Sequence, residues 1–161
     1  MARRQRDLLD AGTPAPAFQL DGLDGESVSL ADLISKGPVL LAFFKVSCPV
    51  CQMTFPFLER LHSAGTLPIY GISQNDAADT REFNREFGIT FPILLDREES
   101  DFVVSNTYGI SSVPTLFLVG RDGGIFRVIE GWRKTEMEWL GTQAGVMPFR
   151  SSDRVPEWKA G

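Results

Sequence analysis

Val39-Leu40-Leu41-Ala42-Phe43-Phe44-Lys45-Val46-Ser47-Cys48-Pro49-Val50-Cys51 is the stretch whose reading decides the fold. Its first six residues are apolar without alternation, as expected of a strand buried on both faces of a parallel sheet. A helical pattern starts at Cys48 and runs to about His62, with Phe55, Leu58 and Leu61 on one face. Pro56 interrupts that pattern and predicts a kink, because it cannot donate to the carbonyl of Gln52. Cys48 and Cys51 are the only cysteines in the chain. Two thiols three residues apart at a helix start can close into a disulfide and reopen, so strand, CxxC and helix together point to redox chemistry.

The helix start also sorts the two sulfurs. Unpaired backbone N–H groups and the helix dipole favour a thiolate at Cys48. Pro49 suits the first turn, where its missing N–H is not needed. Cys51 lies one turn further in and is expected to be more shielded. Cys48 is therefore the expected attacker and Cys51 the resolver. A zinc site is the competing explanation for paired cysteines, but structural zinc takes four ligands. The single histidine, His62, lies about 16 Å along the same helix. No metal and no cofactor is expected.

Outward from this stretch, strands and helices alternate. Phe18–Leu20 and Ser27–Ser29 flank a glycine turn and predict an N-terminal hairpin. Leu30–Ser35 reads as a short helix, Leu67–Ile72 as a strand and Ala77–Phe87 as a helix. Ile93–Leu95 reads as a strand and Asp101–Tyr108 as a short helix. Thr115–Val119 and Ile125–Ile129 are strands joined by Gly120-Arg121-Asp122-Gly123-Gly124. Lys134–Ala144 is the last predicted helix. The expected fold is α/β, a sandwich with a central mixed sheet flanked by helices. One domain is expected over residues 12–146, after a flexible N-terminus (1–11) and before an irregular tail (147–161).

Composition narrows the function. The 161 residues are 43% hydrophobic and 23% charged, with net charge −5 and no basic stripe. Nucleic acid is an unpromising partner for such a chain. The basic start Met1-Ala2-Arg3-Arg4-Gln5-Arg6 is followed by no apolar run. No membrane anchor or signal peptide is therefore expected, and a cytoplasmic setting follows.

A second motif, Ser111-Ser112-Val113-Pro114-Thr115, stands just before an apolar strand. The order of strand, CxxC helix, further strands and Val-Pro-Thr resembles the thioredoxin superfamily. The lead-in Gly12-Thr13-Pro14-Ala15-Pro16-Ala17-Phe18, the hairpin and Ser29-Leu30-Ala31-Asp32-Leu33 look like its TlpA-like and redoxin branch. That branch is related to the alkyl hydroperoxide reductase/thiol-specific antioxidant family, and it also carries an inserted strand–helix element. The resemblance implies a cis Val113–Pro114 bond beside the CxxC, with the Val113 backbone offered to an extended substrate. It implies a thiol-disulfide oxidoreductase with a disulfide-containing protein or small-molecule client and an electron-donor thiol system.

The chain departs from that pattern. Ser47 stands where TlpA-like proteins often have Trp, Thr54 where many have glutamate, and Ala42 where thioredoxin has a buried aspartate. Lys45 and Thr54 are candidate tuners of the thiolate, Lys45 by its charge, although a solvated lysine at a strand end is the competing reading. Peroxiredoxins place Pro-x-x-x-Thr/Ser before their cysteine, and here those positions are Leu41 and Lys45. A thiol peroxidase is therefore the lesser enzyme reading. A non-catalytic redox-sensing binding module is the non-enzyme alternative, separable because a sensor reacts once per oxidation and an enzyme cycles.

Overall fold

A computed structural model describes residues 7–161. The hairpin is β1 (Gln19–Gly22) and β2 (Ser27–Ser29), followed by α1 (Leu30–Ile34). Strand β3 (Val39–Phe44) leads into α2 (Pro49–Ala64), which continues through Pro56. Then come β4 (Ile69–Ser73), α3 (Ala77–Phe87), β5 (Ile93–Leu95) and α4 (Val103–Thr107). Strands β6 (Thr115–Val119), β7 (Ile125–Glu130) and β8 (Trp132–Arg133) precede α5 (Lys134–Ala144). Trp158–Lys159 forms β9.

Seven strands make one mixed sheet in the order β2-β1-β5-β4-β3-β6-β7. Strand β3 pairs in parallel with β4 and antiparallel with β6, so both its edges are covered. All six of its residues are buried, which explains the unbroken apolar run. Successive side chains point to opposite faces. Phe44 packs on Phe55 of α2 and Phe83 of α3, with ring centroids 4.3 and 5.0 Å apart. Phe43 packs from the other face on Tyr108 and Phe117 at 5.3 and 5.7 Å. Burying each such ring contributes about 1.5–3 kcal/mol, so β3 is pinned from both faces and the loop after it starts from a fixed point.

Both ends of the described chain pack on the domain. Residues 1–6 of the expected flexible segment lie outside the described residues. Beyond them, Leu8 and Leu9 pack against the core, and Leu9 N–H donates to the Tyr108 carbonyl at 3.3 Å. That apolar pair anchors the lead-in before Gly12.

Outside one two-residue strand the tail is irregular in secondary structure, and it too packs on the domain. Phe149 joins Phe57 and Trp132 in an aromatic cluster, at 5.2 and 6.0 Å. Arg60 donates to both carboxylate oxygens of Asp153, at 2.7 and 3.2 Å. Strand β9 then pairs antiparallel with β8. Two-residue strands have no measurable period, so sequence pattern alone does not reveal them.

Candidate active site

The site is built where β3 ends and α2 begins. The connecting turn is held by Asn75, whose Oδ1 accepts from Val46 N–H at 3.0 Å. Gln52 Nε2 donates to the Val46 carbonyl at 2.9 Å, and Cys48 N–H donates to the Lys45 carbonyl at 3.2 Å. Asn75 and Gln52 position the turn and were not singled out from the sequence. Asn75 lies 29 residues from its partner, a separation over which no local pattern operates.

Cys48 is the N-cap of α2, with Pro49 in the first turn. Its Sγ accepts from Cys51 N–H at 3.2 Å, in the position where Ser or Asp usually caps a helix. Both cysteines are free thiols here. Cys48 is half-buried and Cys51 fully buried. Hydrogen bonding from the Cys51 side chain, above all, lowers the Cys48 thiol to about 6. Burial opposes that shift, while the backbone N–H groups of residues 51 and 50 assist it, and the Lys45 charge is the smallest contributor. Burial pushes the Cys51 thiol well above the usual thiol range, and the hydrogen bond to Cys48 raises it further.

The other candidates separate cleanly. The Val113–Pro114 bond is cis. In the thiol state Cys48 Sγ donates to the Val113 carbonyl at 3.3 Å, which brings the two motifs together across 65 residues. Lys45 is exposed. Thr54 is a correction: its hydroxyl donates to the Val50 carbonyl at 2.7 Å, one turn back in the same helix. Neither thiol shift has Thr54 among its causes. A buried threonine in a helix satisfies its hydroxyl locally, and that satisfies Thr54. Among the described residues no cluster of His, Cys, Asp and Glu has metal-binding geometry. None of their helices is long and apolar enough to cross a membrane.

A mixed sheet with a dithiol at the start of α2 and a cis-proline loop against its first sulfur defines a thioredoxin-like redox protein. The sequence model of the AhpC/TSA family matches residues 11–128, and the chain belongs to that family. It is 33% identical over 136 residues to the thiol-disulfide oxidoreductase ResA of Halalkalibacterium halodurans, covering 82% of this chain and 75% of that protein. The thioredoxin domain of a thiol-disulfide oxidoreductase from Bacteroides vulgatus superposes with a TM-score of 0.73 at 26% identity, covering 86% of this chain and 99% of that one. Peroxidoxin BcpB from Mycobacterium tuberculosis superposes with a TM-score of 0.66 at 21% identity, over 83% and 92% of the two chains. That last likeness concerns the fold alone.

Proposed function

We propose that this thiol-disulfide oxidoreductase works in the reducing direction, taking electrons from a dithiol donor and passing them to client disulfides. The observation that carries the reading is the Cys48 sulfur: half-exposed, capped by a helix N–H and poised against Val113. Its thiolate attacks one sulfur of the client disulfide. The client S–S bond breaks, a Cys48–client bond forms, and the first client thiolate leaves to take a proton from solvent. Cys51, deprotonated, then attacks Cys48 Sγ and expels the second client thiolate. The client gains two electrons and two protons, and the protein is left with a Cys48–Cys51 disulfide. A donor dithiol reopens it by the same exchange run in reverse. The cytoplasmic setting expected from the sequence belongs to this proposal, because thiols there are kept reduced.

The test is parallel turnover on a disulfide and on a hydroperoxide, using the wild type and Cys48→Ser. Disulfide turnover that vanishes in Cys48→Ser is expected, with hydroperoxide turnover much slower. Saturable hydroperoxide turnover that exceeds disulfide turnover would overturn the reading.

A further inference from the structure

The edge beside Cys48 is already occupied. Val113 is 8% exposed, and among the described residues it makes no backbone–backbone hydrogen bond. An unpaired peptide edge of this kind captures extended chain by strand addition. In this structure the segment over it is the protein's own. From Asp153 the chain runs back towards the site. The Pro156 carbonyl accepts from Trp132 Nε1 at 2.6 Å, and the Glu157 carbonyl accepts from Lys134 N–H at 2.9 Å. Trp158 and Lys159 then pair with Arg133 and Trp132.

Two glycines allow this approach. Gly131 has φ +66°, and a Cβ there would meet Lys159 O at 2.5 Å. It also ties the layer to the cis-proline loop by donating to the Pro114 carbonyl at 2.8 Å. At the far end Gly161 rests on the Val113 peptide itself. A Cβ on Gly161 would overlap the Val113 carbonyl, the same oxygen that faces Cys48 Sγ, and would lie 3.3 Å from Pro114 N.

The attachment is strong upstream and weak over the site. Phe149 and the Arg60–Asp153 pair anchor the start of the tail. Glu157 through Gly161 are exposed, Trp158 to 56%. The last residues are therefore held chiefly by main-chain bonds, and segments with few buried apolar contacts open most readily.

We propose that Trp158–Gly161 is an intramolecular competitor for the client edge. An extended polypeptide disulfide pairs along Val113 only after this segment lifts off, whereas a small disulfide reaches the half-exposed Cys48 with it in place. The proposal rests on the disulfide-exchange reading above. A tethered competitor lowers apparent client affinity by the fraction of time the edge is open, and its tether keeps its local concentration high.

The experiment uses the full chain and Gly161→Val, whose side chain cannot sit against Val113 and whose site lies outside the core. Both are assayed on an extended peptide containing a disulfide and on hydroxyethyl disulfide. The expected result is a rise of about tenfold in kcat/KM for the peptide, with the small disulfide unchanged within about twofold. Equal behaviour of variant and wild type on the peptide overturns the proposal. So does a fall on the peptide, which would make the segment part of the client-binding surface. A second measurement does not need turnover: hydrogen exchange at Trp158 and Lys159 in Cys51→Ser, before and after a peptide is trapped on Cys48. Faster exchange on trapping supports displacement, and unchanged protection overturns it. Failure of the wild type on both disulfides, with no mixed disulfide formed in Cys51→Ser, would sink the functional reading instead.

Discussion

Cys51→Ala tests the origin of the Cys48 thiolate most directly, because it removes the largest lowering contribution and leaves the backbone N–H of residue 51 in place. The wild-type starting point is a thiol at about 6. At pH 7 such a thiol is about 90% ionised, against about 3% for an unperturbed cysteine near 8.5. The thirtyfold gain in thiolate is partly cancelled, because nucleophilicity falls with basicity by a Brønsted slope of about 0.4–0.5, roughly tenfold over this interval. The net advantage is about threefold at pH 7 and on the order of tenfold at pH 6. By pH 9 the advantage inverts, and Cys48 is about tenfold slower than a free peptide thiol.

The assay is single-turnover exchange of reduced protein with a small neutral disulfide from pH 5 to 9.5, beside a short unstructured peptide thiol. The wild-type profile should plateau above pH 7 and cross the peptide profile before pH 9. In Cys51→Ala the midpoint should rise by about one pH unit or more, as loss of a hydrogen bond to the charged form requires. In Lys45→Met it should rise by less than about half a unit, since an exposed charge is screened. A larger shift in Lys45→Met than in Cys51→Ala would refute this ordering, and a wild-type profile still climbing through pH 8.5 would refute the lowered thiol itself.

Cys51→Ser should accumulate a Cys48-linked mixed disulfide with client, seen by intact mass, while Cys48→Ser forms none. Thr54→Val should leave the Cys48 titration unmoved and cost about 1 kcal/mol in denaturant unfolding, since the hydroxyl bonds only within α2. The stability of the reduced protein should depend on pH in two directions. The Cys48 thiol is lower in the fold than in the unfolded chain, so its contribution is present above the unfolded value and is lost as pH falls through about 6. The Cys51 thiol is raised in the fold, so stability falls as pH rises past the unfolded thiol value. The urea midpoint should therefore peak near pH 8 in the reduced protein, and both limbs should be absent in Cys48→Ala/Cys51→Ala.

The central half of the molecule was legible because its signals are strong and local. An unbroken apolar run forces β3 between two covered faces, and Pro49 fixes the start of α2 with Cys48 as its cap. The ranking of the two sulfurs follows from that cap. Other features depend on contacts between distant residues. Asn75 reaches Val46 from the end of β4, and Arg60 reaches Asp153 from α2. The β8–β9 pair is too short to carry a period, and the contacts of its Trp132 with Phe57 and Phe149 join residues far apart in sequence. Thr54 was named as a tuner because it stands where TlpA-like proteins often carry a glutamate, and a position in a motif does not say where a hydroxyl turns. Helical geometry instead gives its hydroxyl a carbonyl one turn back.

The absence of a carboxylate from the causes of the Cys51 shift poses a chemical problem, which the coupling between the sulfurs resolves in part. Cys51 must lose its proton to resolve a mixed disulfide, yet in the free protein burial and its hydrogen bond to Cys48 both oppose this. The hydrogen bond that lowers Cys48 is the one that raises Cys51, because a thiol donating to a thiolate stabilises the first charge and holds the second proton. Once Cys48 is bonded to the client it carries no charge, so this bond and the repulsion between two thiolates both disappear. Only burial then keeps Cys51 protonated. On the proposed disulfide-exchange reading, the first chemical step thus releases the acidity of Cys51, which stays protonated until there is a mixed disulfide to resolve. With Ala42 and Thr54 where the resemblance to thioredoxin and TlpA-like proteins leads one to expect acids, that reading leaves the timing of the second attack to the pair of sulfurs and the burial of Cys51.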